Sequence, residues 1–193
     1  YTNIESLALI LKNRNFRFSP LTALDDTEEQ QNYGNLPVGK YVFVSSWTSL
    51  TTESIPMWHM YTGLTQGVRI RMRKFPFKSY IITKEELQHF GLEINGGAIK
   101  CFVPIDKMFN EDYTVLHWDY SKILHPITYE PIKTKKQIIV DDKYFMMALG
   151  ELGKNKNEYW SFQEEWRYIL CFHAIPLATL LQDTSIGIKH LLQ

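Results

Sequence analysis

Apolar positions along the chain fall into short blocks with two different periods. Ser6-Leu7-Ala8-Leu9-Ile10-Leu11 follows Thr2-Asn3-Ile4-Glu5. An apolar run behind residues that cap helices predicts a helix here, with Asn3 or Thr2 as its N-cap. Phe16-Arg17-Phe18-Ser19 alternates apolar and polar positions, as a short strand does. Residues 25–31 are acidic and polar and predict an exposed loop or helical turn. Turn residues occupy 34–39, and residues 40–47 read as a strand ending in hydroxyls. Residues 54–62 suit a short helix with Ser54 as N-cap and Pro56 in the first turn.

The alternation is sharpest at Gly67-Val68-Arg69-Ile70-Arg71-Met72-Arg73. Val68, Ile70 and Met72 are expected to face inward and the three arginines outward, on a half-exposed strand. Further strands are expected at 79–82 and 98–103. Residues 141–152 carry helical spacing, with Tyr144, Phe145, Ala148 and Leu152 on one face and Gly153 as the stop. From Trp166 the chain is aromatic and apolar enough for a largely buried strand. Strands outnumber helices and do not alternate regularly with them, which predicts an α+β fold. No repeat, linker or low-complexity run divides the sequence, so a single domain over residues 1–193 is expected.

Composition narrows the classes. At 193 residues the chain is long enough to bury roughly 70% of its unfolded surface. Basic and acidic residues number 21 each, so no global field draws the protein to nucleic acid, although a local patch still can. No stretch approaches the ~20 apolar residues that span a bilayer, and no signal-peptide pattern opens the sequence. Cys101 and Cys171 are the two cysteines and show no metal-ligand spacing, which favours a reducing cytoplasm and no metal.

Familiar catalytic patterns are missing: there is no glycine-rich phosphate loop, no zinc-binding His-Glu-x-x-His and no serine nucleophile elbow. The histidines are scattered without ligand spacing, and the aromatic residues are for the most part packing surface. Three segments carry candidate chemistry. Gln163-Glu164-Glu165 places polar acceptors directly before the buried strand, where a turn residue is the usual occupant. Ser45-Ser46-Trp47-Thr48 ends another strand in hydroxyls, and Tyr1-Thr2 leads into the first helix. Each alone is more often a turn, a cap or a solvated face; the three together stand out.

These segments also carry a resemblance. Tyr1-Thr2-Asn3-Ile4-Glu5-Ser6-Leu7 with Phe16-Arg17-Phe18-Ser19, Met57-Trp58-His59-Met60-Tyr61 with Gly67-Val68-Arg69-Ile70, and Trp160 with Glu164-Glu165-Trp166-Arg167 resemble a widespread family of bacterial domains of unknown function. Its members open on a Tyr-Thr strand, carry Met-Trp-x-x-Tyr-Ala before Gly-Val and close with Glu-x-Glu-Trp-Arg. That layout is in turn similar to ADP-ribosyltransferases: a first-strand element, a hydroxyl-rich strand end and a Gln/Glu-x-Glu loop. The resemblance implies an ADP-ribosyltransferase-like α+β fold and NAD as co-substrate. Two departures stand out: Trp47 interrupts the middle element, and Gln163 replaces the glutamate common among the relatives.

The implied roles follow. Cleavage of the nicotinamide–ribose bond passes through an oxocarbenium-like state, as glycoside cleavage does. Glu165 would stabilise that charge and bond the ribose 2′-hydroxyl, and Gln163, on a flexible loop, would hold or select the acceptor. Such preorganised groups contribute on the order of 3–4 kcal/mol each. Ser45, Ser46 and Thr48 would position the nicotinamide-ribose side, beside Tyr1 and Thr2. Trp47, Trp58 or Tyr61 would offer stacking surface, and Arg17 would face the pyrophosphate. The expected activity is mono-ADP-ribosylation of a macromolecule, RNA, DNA or protein, by an intracellular toxin or anti-phage effector with an antitoxin partner. Outward Arg69, Arg71 and Arg73, with Lys74, form a candidate phosphate-contacting strip, equally readable as solubilising charge. The alternatives are an inactive interaction domain on the same scaffold, with Glu165 as a structural acceptor for Arg167 or a backbone amide, and a glycohydrolase that gives NAD's ribose to water.

Overall fold

The computed structural model describes residues 1–26, 28–29, 38–63, 65–116, 119–131, 139–140, 145–146 and 152–182. Its organising element is the strand β13 (Glu165–His173), which is paired along both edges. On one side runs β3 (Val42–Thr48), antiparallel, in a register from Glu165↔Thr48 to Cys171↔Val42. On the other side β8 (Leu124–Pro126) pairs with Trp166–Tyr168, and β7 (Thr114–Val115) with Phe172–His173. A short strand β2 (Ser19–Pro20) extends the sheet beyond β3. With neighbours on both edges and packing on both faces, β13 has no solvent-facing side. This is why Tyr168, Ile169, Leu170 and Cys171 follow one another without alternation, all buried.

The two faces carry different cores. Ile169 and Cys171 join Val42, Val44, Leu21, Val38 and Leu152 in one apolar cluster. The opposite face is aromatic: Trp47 and Tyr168 meet edge-on, and Phe16 and Phe77 pack against them. That layer continues into a second cluster of Ile82, Leu87, Cys101, Met108, Phe109 and Val115. It sits on the hairpin of β5 (Tyr80–Thr83) and β6 (Ala98–Cys101) and on the helices α3 (Lys84–His89) and α4 (Ile105–Met108). Most strand pairs are antiparallel; β9 (Thr128–Tyr129) with β12 (Asn155–Lys156) is parallel. The fold is mixed α+β, as the element pattern predicts.

Several local expectations hold. Helix α1 (Ile4–Asn13) starts at Asn3, whose side chain accepts the Ser6 amide at 2.8 Å. The hairpin strands fall at 80–83 and 98–101, and β3 ends in hydroxyls as expected. Helix α2 (Ile55–Thr62) has Ser54 at the cap position and Pro56 in its first turn, but Ser54 makes no side-chain capping bond.

Four expectations need correction. The strand near 16–19 is displaced to Ser19–Pro20, because Phe16 and Phe18 turn into the aromatic layer instead of a ladder. Of residues 25–31, positions 25, 26, 28 and 29 are described: Asp25 and Glu28 are exposed and 28–29 are helical, but Asp26 and Glu29 are buried, and Asp26 accepts the amides of Glu28 and Glu29. The long strand over 67–73 is reduced to β4 (Gly67–Val68). Its partner β1 (Thr2–Asn3) runs antiparallel, with Thr2 opposite Val68 and Asn3, the cap of α1, opposite Gly67. Arg69 then turns inward, its guanidinium donating to the carbonyls of Leu50 and Thr51, while Met72 is exposed. The helix expected over 141–152 lies mostly outside the described residues, including Tyr144 and Ala148. Where it is described, Phe145–Met146 is a strand paired with Ile139–Val140.

Candidate functional site

The β3–β13 register joins two of the three sequence segments. Side chains alternate across a strand, so Ser46 and Thr48 share a face with their partners Arg167 and Glu165. Ser45 and Trp47 take the other face with Tyr168 and Trp166. The hydroxyl segment is thereby split in two. Ser46, exposed, lies on the Glu165 face one pair along the ladder, and its hydroxyl helps to lower the Glu165 pKa. Thr48 donates to the Gln163 carbonyl at 2.6 Å and accepts the Leu50 amide at 3.1 Å, tying the two strand ends together.

Glu165, expected directly before the strand, is its first residue, and it is not an open acceptor. It is 6% exposed and sits in a ring of four charges with Arg167, Glu29 and Lys156. Arg167 Nε donates to Glu165 Oε1 at 2.5 Å, and Nη2 reaches Oε2 at 3.2 Å. The other side of the guanidinium holds the Glu29 carboxylate through two bonds and donates to the Gly153 carbonyl. Lys156 Nζ donates to Glu165 Oε2 at 3.1 Å and to Gln163 Oε1 at 2.8 Å. Two anions and two cations balance, which makes burial of this many charges tolerable. Arg167 is the cause: a guanidinium in a central strand, 1% exposed, requires carboxylates on its own face.

The charges set the protonation states. Burial pushes the Glu165 carboxyl up, but Arg167's charge and hydrogen bonds, with Lys156 and Ser46, outweigh it and hold the group below the usual carboxylate range. Glu165 is therefore an anion at neutral pH. Burial raises the Glu29 carboxyl, with Arg167 pulling the other way. Burial first, then the negative charge of Glu165, pushes the Tyr61 phenol up to about 12.

Gln163 was expected on a flexible loop; it lies instead in a 3₁₀ helix, Glu158–Gln163, and is 2% exposed. Its amide donates to the Tyr61 hydroxyl at 2.7 Å. The turn that aims it inward is Glu164, with φ of 42° and ψ of 52°. This left-handed residue reverses the chain so that Gln163 and Glu165 both point inward while Glu164 stays exposed, bonded to Ser49. A non-glycine residue in that conformation costs roughly 1–2 kcal/mol.

The other predicted residues divide. Helix α2 brings Tyr61 to Gln163, and three residues earlier Trp58 meets the Tyr1 ring edge-on at 4.9 Å. Tyr1 also accepts the Ser54 amide, and Thr2 pairs with Val68. Trp47 and Ser45 are not on the Glu165 face; the indole donates to Ser45 Oγ and packs on Phe16. Arg17 is exposed, next in the chain to Phe16. Sequence reasoning missed Glu29, Lys156 and Tyr129, whose hydroxyl accepts the Glu165 amide at 2.7 Å. One signal was available: an arginine inside an apolar strand implies buried carboxylates.

Among the described residues no cluster of His, Cys, Asp and Glu is placed to hold a metal, and no helix is long and apolar enough to cross a membrane. Comparison with known proteins gives no matching family model, no matching curated protein and no matching solved structure.

Proposed function

We propose that this chain is an NAD-dependent mono-ADP-ribosyltransferase on an ADP-ribosyltransferase-like scaffold, an intracellular effector of the toxin or phage-defence type acting on a nucleic acid or a protein. One observation carries the reading: Ser46 and Glu165, from segments far apart in sequence, stand one pair apart on the same face of the β3–β13 ladder, an exposed hydroxyl beside an ionised carboxylate. An anion beside a surface hydroxyl suits a ribose that becomes cationic and offers hydroxyls of its own. Behind them, buried Gln163 hydrogen-bonds the Tyr61 hydroxyl, on the helix that carries Trp58 to Tyr1. In the reaction the ribose C1′–nitrogen bond breaks and nicotinamide leaves with the bonding pair. The acceptor then bonds to C1′ and releases its proton to solvent. Lys156 must swing off Glu165 for the carboxylate to reach the sugar.

A second reading is favoured by the same ring of charges. Both Glu165 oxygens are already engaged by Arg167 and Lys156, the arrangement of a structural acceptor in a domain that binds a partner without turnover. Incubation with NAD labelled in both halves separates the readings. Nicotinamide release with labelled acceptor means transfer, and release with free ADP-ribose means hydrolysis. Because Glu165→Gln alone unbalances the charges, Lys156→Gln/Glu165→Gln, compared with Lys156→Gln, tests the carboxylate. Release that persists in the double variant at the rate of the single one removes Glu165 from the chemistry.

A further inference from the structure

Residues 69–78 contain Arg69, Arg71, Arg73, Lys74 and Lys78 and no acidic residue, in a chain whose charges sum to zero. Arg69 is turned inward to backbone carbonyls, but Arg71, Arg73, Lys74 and Lys78 are exposed, as is Lys100 on β6. Among the described residues none of these five exposed cations is in an ion pair. Three of them, Lys74, Lys78 and Lys100, lie beside rings. The Lys74 ammonium lies 5.3 Å from the Trp166 ring centre and 6.0 Å from that of Phe75. Phe75 is 5.1 Å from Tyr120, inclined by 36°, and the Lys100 ammonium is 4.7 Å from the Tyr120 centre. Lys78 lies 4.9 Å from Tyr80. The strip is fixed to the sheet, because Tyr120 donates its hydroxyl to the carbonyls of Phe75 and Phe77, and Tyr168 donates to that of Lys74.

We infer that this strip is a binding surface for single-stranded nucleic acid. Unpaired cations in series follow a phosphate backbone, and half-buried rings between them offer flat faces to unstacked bases. A base settling on a ring displaces the flexible lysine toward the adjoining phosphate. An acidic peptide would use the cations and leave the rings idle. Trp166 adjoins Glu165 in sequence but faces the other side of the sheet, so the strip is separate from the ring of charges.

Fluorescence anisotropy with a labelled, mixed-sequence oligonucleotide of about 16 nucleotides tests the inference, without NAD, so the result is independent of any chemistry at Glu165. Five phosphate contacts at about 0.7 counterion each predict that affinity falls about 100-fold between about 50 and 200 mM salt. Replacing Lys74, Lys78 and Lys100 together by glutamine, all on the surface, lowers the salt slope by about 2. An unchanged slope in that variant overturns the surface. Equal affinity for heparin, which has the charges without the bases, overturns the assignment to nucleic acid. Tighter binding to phosphatidylserine vesicles than to the oligonucleotide overturns it as well and points to a membrane surface.

Discussion

Removing the Glu165 charge should destabilise the protein far more than an ordinary polar substitution, and removing Lys156 as well should restore much of the loss. Glu165→Gln keeps the shape but leaves Arg167 and Lys156 facing Glu29 alone, one net positive charge among groups 1–7% exposed. Each opposite pair at hydrogen-bonding distance is worth about 4 kcal/mol or more at an effective dielectric of about 20, and the relieved desolvation of the carboxylate offsets part of it. The expected net cost is about 3–5 kcal/mol. Lys156→Gln leaves the opposite imbalance and should also be costly. The double variant retains the balanced Glu29–Arg167 pair, so its cost should fall short of the sum of the singles by about 2–3 kcal/mol. Urea unfolding at neutral pH, followed by circular dichroism, measures all three. Additivity within about 0.5 kcal/mol would refute the idea that these charges are held as one balanced group.

Other outcomes follow from particular contacts. A carboxyl held below its ordinary range contributes stability above its unfolded pKa and loses it as the pH falls through the folded value. The stability gap between wild type and Glu165→Gln should therefore narrow below about pH 4.5, and a gap constant down to about pH 3 contradicts the direction given for Glu165. A Cβ at Gly67 would stand 2.2 Å from Thr62 Cβ, so Gly67→Ala should cost about 1–3 kcal/mol by prising α2 from the β1–β4 pair, measurable by the same unfolding assay. Glu164→Gly should be neutral or slightly stabilising, because glycine adopts the left-handed turn freely. Burial pushes the thiols of Cys101 and Cys171 up to about 11 and 12, so neither should react with a disulfide reagent near pH 8 until the protein is unfolded; prompt labelling of the native state would contradict their burial.

Much of the scaffold was legible locally. The apolar run from Trp166 announces a buried strand, residues 40–47 announce the strand beside it, and Asn3 three residues before Ser6 announces the first helix. These are short-range facts: a period of two or 3.6, or a capping oxygen within one turn. The same alternation misled at Gly67 to Arg73, because a period of two marks extended backbone whether or not it is paired, and the pairing observed covers Gly67 and Val68.

The candidate site shows the division most sharply. Sequence named Glu165, Gln163, Ser46 and Tyr61 as residues to watch, and the fold gathers all four. It did not name Glu29, 138 residues from Arg167, or Lys156, and it placed Gln163 on a flexible loop. Charge compensation in a protein interior is a property of distance in space, felt strongly there because water is excluded. Only chain folding decided which anion meets which cation, and therefore that the carboxylate at the head of the central strand is held in a balanced, buried ring.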